Sequence, residues 1–364
     1  MRRLLTVHIK TETSILFFTG TGIIMKSLKS FLLLCVCAAF FSCTRKNQPE
    51  AAFSVTASTF SCYDAARAVL GSAATDGTVG LKLLVKPGTE VHSFDPSPAD
   101  IIAVQKSSLF IYAGGESDEW VEKVLESGGS ESPAKKLRLM EFVETADEIS
   151  FGEEDAEDEE EHSHGKEAHS ADENLSAESA ENPHEQDEHI WTSPANELKI
   201  IDAVYEALCE TARNAGKPEL CAALEMNANK YKEEISSVAE KTAAVIAAAQ
   251  EQYIVMADRF PFLYFANYYG LSFDAAFSGC STAVEASTAT ISRLIDTVKA
   301  KNLPAVFYIE LGNHKIADSI AEACNVSAIE LQSCQNVSKK DFDAGETWVS
   351  LMERNAAALK KGLR

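Results

Sequence analysis

Two histidines of this chain lie in sequence settings that suit metal binding. His92 follows an apolar run, residues 81–85, that predicts a β-strand and is closed by Pro and Gly. Open α/β sheets place their ligands beyond the carboxyl ends of their strands. His189 begins an ordered stretch after a long acidic segment. A single histidine in a Pro- and Gly-rich loop is usually a surface residue, but two imidazoles with one or two carboxylates suit Zn²⁺.

Each histidine lies within a longer motif. The first is Pro87-Gly88-x-x-x-His92-Ser93-Phe94-x-Pro96-x-Pro98-x-Asp100. The second is Asp187-Glu188-His189-Ile190-Trp191-Thr192-Ser193-Pro194-Ala195-Asn196. Their order, on either side of an acidic segment with histidines, resembles the two metal-ligand motifs of the zinc and manganese solute-binding proteins of bacterial ABC importers. The resemblance extends over most of the chain after residue 43 and implies that His92 and His189 bind the ion.

The resemblance is weaker at the remaining ligand positions. Arg259 stands where the family offers His or Glu, and a guanidinium has no lone pair to donate to a metal. Its neighbour Asp258, also at the end of a predicted strand, is expected to substitute as a ligand. The alternative for Asp258 is a structural role as partner of a backbone amide or of Arg259. Glu310 matches a family Glu at the end of a strand and is expected either to bind the ion or to pair with Arg259. Gln332 stands where many relatives carry an Asp ligand, and we expect it to support the ligands rather than bind.

These candidates require an α/β framework that brings them together. Apolar runs at 81–85, 109–112, 253–256, 305–309 and 326–331 predict strands, and they alternate with helical segments, a pattern typical of parallel sheets. One helix, at 219–250, would run about 45 Å, long enough to connect two domains. We therefore predict an α/β protein of two lobes, 51–215 and 251–364, each a small, mostly parallel sheet flanked by helices and joined by this long helix.

Residues 151–188 differ in composition from the rest of the first lobe. They contain sixteen Asp or Glu and one Lys, a net charge of −15 out of the formal −22 of the whole chain. Because so few aliphatic side chains cannot bury a core, we expect a disordered, solvated loop. Its histidines are His162, His164, His169 and His184. In the family such an insert marks zinc-handling members. Its carboxylates and imidazoles suit loose capture of divalent cations. The alternative is a loop that only makes the protein more soluble.

The N-terminal region has the pattern of a lipoprotein signal peptide. Met25 is a more plausible start than Met1, because Lys26 and Lys29 then precede an apolar run of secretory length that ends at Ser42-Cys43. We predict a signal peptide over 25–43, a lipid on Cys43 and a tether over 44–50. Export permits disulfides, although six remaining cysteines allow fifteen full pairings; Cys280 with Cys334 is a guess among them.

The expected function is that of an extracytoplasmic receptor, anchored to a membrane by its lipid, which holds a divalent metal between its lobes. The resemblance implies an ABC importer permease and its ATPase as partners, Zn²⁺ as the transported ion with Mn²⁺ as the alternative, and a monomer. No basic cluster supports nucleic-acid binding. Catalysis is not expected, since the body has no His-Glu-x-x-His and no Gly-x-Ser-x-Gly. An adhesin-type surface lipoprotein of the same family is a further alternative.

Overall fold

Two four-stranded parallel sheets form the framework of the chain, in a computed structural model that describes residues 51–127, 135–151, 186–281 and 285–364. The strands of the first sheet are β1 (Phe53–Ala57), β2 (Val79–Leu83), β3 (Leu109–Tyr112) and β4 (Lys136–Arg138), in the spatial order β2-β1-β3-β4. Those of the second are β5 (Tyr253–Arg259), β6 (Ser272–Phe277), β7 (Ala305–Ile309) and β8 (Ser327–Leu331), in the order β6-β5-β7-β8.

Ten α-helices occur in the described residues. They are α1 (Phe60–Leu70), α2 (Pro98–Lys106), α3 (Glu119–Ser127), α4 (Pro194–Asn214), α5 (Cys221–Ala247), α6 (Leu263–Tyr269), α7 (Thr288–Lys301), α8 (Lys315–Cys324), α9 (Lys339–Ala344) and α10 (Trp348–Gly362). Local sequence sets several of their starts. Ser97 and Asp100 form a capping box at the start of α2, because each side chain accepts a backbone N–H of the other residue. Ser287 caps α7 with a single bond, in which its side chain accepts the Thr290 backbone N–H.

The long helix α5 packs against elements of both halves of the chain. It contacts α1, α4 and α10. Its 27 residues span about 40 Å. The main hydrophobic core is continuous from the first sheet to the second; among its members are Phe53, Ile111, Trp191, Ile235, Met256, Phe307 and Leu359. The two sheets are therefore held by one close-packed core, which resists large hinge motions.

The predicted fold class is confirmed: each half is a parallel sheet with flanking helices, and one long helix packs against both. The sequence pattern did not predict β1, β4 or β6. The domain limits stay a prediction. None of the described helices is both long enough and apolar enough to cross a membrane. Cys43 and the four loop histidines lie outside the described residues.

The suggested disulfide between Cys280 and Cys334 is wrong. Both thiols are free and buried, and the disulfide joins Cys209 near the end of α4 to Cys221 at the start of α5. The short connection between these helices brings the two Cα atoms to 5.1 Å, within the usual range for a disulfide. Sequence spacing carried no information about which cysteines the fold places side by side.

Candidate metal centre

His92, Glu188 and His189 come together to form what we call the histidine group. One potential ligand atom from each residue lies within 4.8 Å of the others. His92 belongs to the loop after β2, and the other two precede a short 3₁₀ turn, Ile190–Thr192, that leads into α4. The structure thus brings together the two predicted histidines. It also adds a carboxylate that the sequence analysis had assigned to the acidic loop.

His189 is oriented by its neighbour Asp187. The imidazole is fully buried, and Asp187 Oδ1 lies 3.1 Å from Nδ1 and accepts the His189 backbone N–H at 2.8 Å. Nε2 is buried and has no hydrogen-bond partner among the described residues. Burial opposes protonation, but the charges of Asp187 and then Glu188 raise the pKa of His189. With Nδ1–H donated to Asp187, the Nε2 lone pair is available to a metal ion, the usual arrangement of a metal-binding imidazole.

His92 lies in a network with Ser117, Glu188 and Gln335. Ser117 Oγ is 2.9 Å from His92 Nδ1 and donates to Glu188 Oε1 at 2.6 Å. Gln335 hydrogen-bonds both His92 and Glu188. Burial, followed by the charges of His189 and Arg259, lowers the pKa of His92 to about 3. His92 is therefore neutral at physiological pH, which is the protonation state a metal ligand needs.

Glu188 is the member of the histidine group that the sequence did not single out. It is 1% exposed and accepts hydrogen bonds from the Ser117 backbone N–H at 2.8 Å, from the Ser117 hydroxyl and from the Gln335 amide at 2.8 Å. Gly115 packs so closely that a Cβ there would overlap the Glu188 side chain. Glu188 ends a long acidic segment that was predicted to be solvated, so it was not recognised as a candidate ligand. Its position next to His189 was a signal that could have identified it.

Two tryptophans fix the segment that carries His189. Trp191 is 1% exposed, and its Nε1 donates to the Ser333 carbonyl at 2.8 Å, in the loop after β8. Trp348, at the start of α10, donates from Nε1 to the Trp191 carbonyl at 2.9 Å. Buried aromatic side chains contribute strongly to packing, and their N–H groups need such partners. The imidazole is thereby held against both halves of the protein.

Asp258 and Arg259, at the end of β5, form ion pairs beside the histidine group. Arg259 donates to Glu90 Oε2 at 2.9 Å, and its Nε lies 3.9 Å from Asp258 Oδ1. Asp258 also accepts the backbone N–H groups of Arg259 and Ile309. Burial raises the pKa of Asp258. The structural role considered for Asp258 is thus present in the structure, and its metal ligation stays a prediction.

Glu310 and Gln332 hydrogen-bond to residues outside the histidine group. Glu310 is 8% exposed and accepts two bonds from Ser333, one from the backbone N–H at 2.7 Å and one from the hydroxyl at 2.6 Å. Burial raises its pKa to about 7. Gln332 donates its side-chain amide to Glu330. Neither belongs to the histidine group, so ligation by Glu310 also stays a prediction.

A pocket of about 430 Å³ opens beside His92. Glu90, His92, Asp258 and Arg259 line it together with residues 311–313 after β7. The predicted residues His92 and Asp258 therefore face the same space between the carboxyl ends of the two sheets. His92 lines this pocket, whereas His189 is fully buried.

Two solved structures define the class of fold to which this arrangement belongs. The Zn(II)-bound ZnuA-like domain of Streptococcus pneumoniae AdcA matches with a TM-score of 0.64 and 22% identity, over 85% of this chain and 98% of that one. The laminin-binding protein Lmb of Streptococcus agalactiae, described as having adhesin and metal transporting activity, matches with a TM-score of 0.64 and 18% identity, over 86% and 100%. This chain therefore shares its fold with these two proteins.

The sequence assigns the family. The model described as ZnuA, zinc-uptake complex component A periplasmic, matches residues 55–362, and the chain belongs to this family. The zinc-binding lipoprotein AdcA of Streptococcus pneumoniae (strain R6) is 27% identical over 333 residues, which cover 91% of this chain and 60% of AdcA. The chain thus spans about 60% of the length of that relative.

Proposed function

We propose that this protein is the extracytoplasmic substrate-binding component of an ABC transporter, which captures Zn²⁺ and delivers it to a membrane permease for uptake. Family membership and the zinc-binding relatives support this role. The observation that carries it is the buried Nε2 of His189, which has a lone pair and no partner among the described residues, next to His92 and Glu188. Leaving such an atom unsatisfied costs free energy unless a ligand completes it.

His92, His189 and Glu188 are the proposed ligands, and the ion is the transported cargo. Two imidazoles and one carboxylate form a set that zinc binds with tetrahedral geometry, with a fourth position left over. Asp258 and Glu310 are the candidates for that position. Imidazole donors favour Zn²⁺ over Mn²⁺, which prefers oxygen ligands, so we propose zinc as the preferred ion.

The protein is proposed to work outside the cytoplasm, attached to a membrane through a lipid on Cys43, with a permease and an ATPase as its partners. The family is one of metal receptors and not of enzymes. Because one core connects the two sheets, ion binding is expected to order loops around the histidine group and to move one lobe only slightly.

Zinc calorimetry tests the proposal. The protein from residue 44 onward is stripped of metal and titrated with Zn²⁺ and Mn²⁺. It is compared with a His92→Ala and His189→Ala double variant, a deletion of residues 152–185 that keeps Asp187 and Glu188, and a His314→Ala control. His314 is an exposed histidine paired with Asp318 at 3.0 Å, so it offers the same pairing of imidazole and carboxylate as His189 but lies outside the histidine group.

We expect one tight zinc site in the unaltered protein, in the deletion and in the control, and a loss of more than about 100-fold in the double variant, because two ligands disappear. Circular dichroism checks that the double variant folds, and a His92→Gln and His189→Gln pair serves as a second version with polar side chains. Tight binding that disappears with the deletion and survives the loss of both histidines contradicts the proposal.

A further inference from the structure

A second cluster of metal-binding side chains lies outside the histidine group. Glu116, Glu148 and Cys280 each offer one ligand atom within 4.8 Å of the others. We call these residues the acid–thiol group. They come from three separate segments: the 3₁₀ turn after β3, the extended segment after β4, and the loop after β6. The fold therefore brings together a thiol and two carboxylates that are far apart in sequence.

The three side chains line a pocket that is accessible from solvent. Its volume is about 270 Å³, and its other lining residues include Gly115, Arg138 and Gln186. Glu116 lies at the exposed rim, whereas Cys280 is only 5% exposed. Arg138 donates to the Gly114 carbonyl, from Nη2 at 2.6 Å and from Nε at 3.2 Å. An ion can enter from the side of Glu116 and reach the buried sulfur.

Cys280 is placed unlike an ordinary buried cysteine. It is free, and its backbone N–H donates to Glu148 Oε1 at 2.7 Å, which holds this carboxylate beside the thiol. Burial, then the charges of Glu188 and Glu148, raise the pKa of the thiol. Neighbouring carboxylates do not stabilise a buried thiol. A divalent cation turns the same arrangement into a stable one, because it displaces the thiol proton to solvent and is held by the thiolate and both carboxylates.

From this geometry we infer that Glu116, Glu148 and Cys280 form a second metal site, which takes a borderline or soft divalent ion such as Zn²⁺. Thiolate and carboxylate are both accepted zinc ligands, and the sulfur excludes hard ions such as Mg²⁺ and Ca²⁺. The inference does not depend on the proposed transport function, since the site is defined by its own three side chains.

The second site adjoins the histidine group through the backbone. Gly279, next to Cys280, packs so tightly that a Cβ there would lie 3.0 Å from the His189 ring. Glu116 precedes Ser117, which bonds both His92 and Glu188. Two ions can therefore be held in neighbouring pockets. If the transport function holds, the acid–thiol group supplies a position for an ion close to the cargo site.

Cobalt(II) absorption tests the second site, because only a thiolate ligand gives cobalt a strong charge-transfer band in the near ultraviolet. The metal-free protein from residue 44 onward is kept under argon without added thiol and titrated with Co²⁺. Variants are Cys280→Ser, Glu148→Gln, the His92→Ala and His189→Ala pair, and Cys334→Ser. Cys334 is a matched control, since it is also a free, buried cysteine but lies outside the acid–thiol group.

We expect the band in the unaltered protein, in Cys334→Ser and in the histidine pair, and its loss in Cys280→Ser. Glu148→Gln should weaken cobalt binding at this site by at least about tenfold, as removal of metal-site partners generally does. The two proposals can fail separately. The variant with His92→Ala and His189→Ala lacks only the histidine group, so its cobalt band reports the acid–thiol group alone. Absence of the band in the unaltered protein at saturating Co²⁺, or its persistence in Cys280→Ser, overturns the inference.

Discussion

The Asp187→Asn variant tests whether a neighbouring carboxylate prepares His189 for zinc. Asp187 Oδ1 contacts both Nδ1 and the backbone N–H of His189. An asparagine keeps the shape and one acceptor oxygen but removes the charge. We expect zinc affinity to fall because the imidazole becomes a weaker donor and its orientation is less firmly fixed.

The magnitude follows from distance and charge. A carboxylate 3.1 Å from Nδ1 lies roughly 7 Å from an ion on Nε2, and at an effective dielectric constant of about 20 its attraction to a double charge is about 5 kcal/mol at most. Losses measured for such supporting partners are about 10- to 100-fold, or about 1.4 to 2.7 kcal/mol. We expect Asp187→Asn to fall within this range.

The effect should also depend on pH. Asp187 raises the pKa of His189, so protons compete with zinc more strongly in the unaltered protein as the pH falls. Without that carboxylate, burial lowers the pKa of His189 and the competition weakens. The loss of affinity in Asp187→Asn should therefore be largest near pH 8 and shrink toward pH 5.5.

Competition with a chromophoric chelator at both pH values measures these affinities. Asp318→Asn is the matched control, because it removes the carboxylate from the exposed His314–Asp318 pair and should change zinc binding less than twofold. A change below about threefold in Asp187→Asn, or an equal change in the control, refutes the assigned role of Asp187.

Two further predictions concern the stability of the metal-free protein. Burial raises the pKa of Glu310 from 4.5 to about 7, so its protonated form contributes stability that is complete below about pH 4.5 and lost as the pH rises through 7. Glu310→Gln should gain stability relative to the unaltered protein as the pH rises from 5 to 8, by up to about 3 kcal/mol at pH 8. Urea unfolding at these two pH values measures the difference. Replacing Cys209 and Cys221 by Ala removes a disulfide that closes a short loop and should cost about 2 to 3 kcal/mol in unfolding, with zinc affinity unchanged in the same preparation.

Much of the fold could be predicted from local sequence. Apolar runs identified β3, β5, β7 and β8. The strands that were missed are short or mixed in composition. β4 has three residues, two of them basic, and β6 contains Asp274. Parallel strands pair with segments distant in sequence, so their formation depends on neighbours that a local pattern does not show.

The candidate site was predictable only in part, for a related reason. His92 and His189 belong to local motifs, which identified them as candidate ligands. Asp187 and Glu188 belong to the same motif but were counted with the solvated acids, because charge counting does not reveal which carboxylates find buried donors. Glu188 finds them on Ser117 and Gln335, residues 71 and 147 positions away.

The sequence by itself determined the alternation of strands and helices, the two histidine motifs and the acidic segment, since each depends on neighbouring residues. Only the tertiary structure decided which side chains meet. It paired Cys209 with Cys221, joined Arg259 to Glu90, and placed Cys280 beside Glu116 and Glu148. The physical reason is that burial, desolvation and the distances between metal ligands depend on the three-dimensional arrangement of the chain. That arrangement forms only when segments distant in sequence pack against one another.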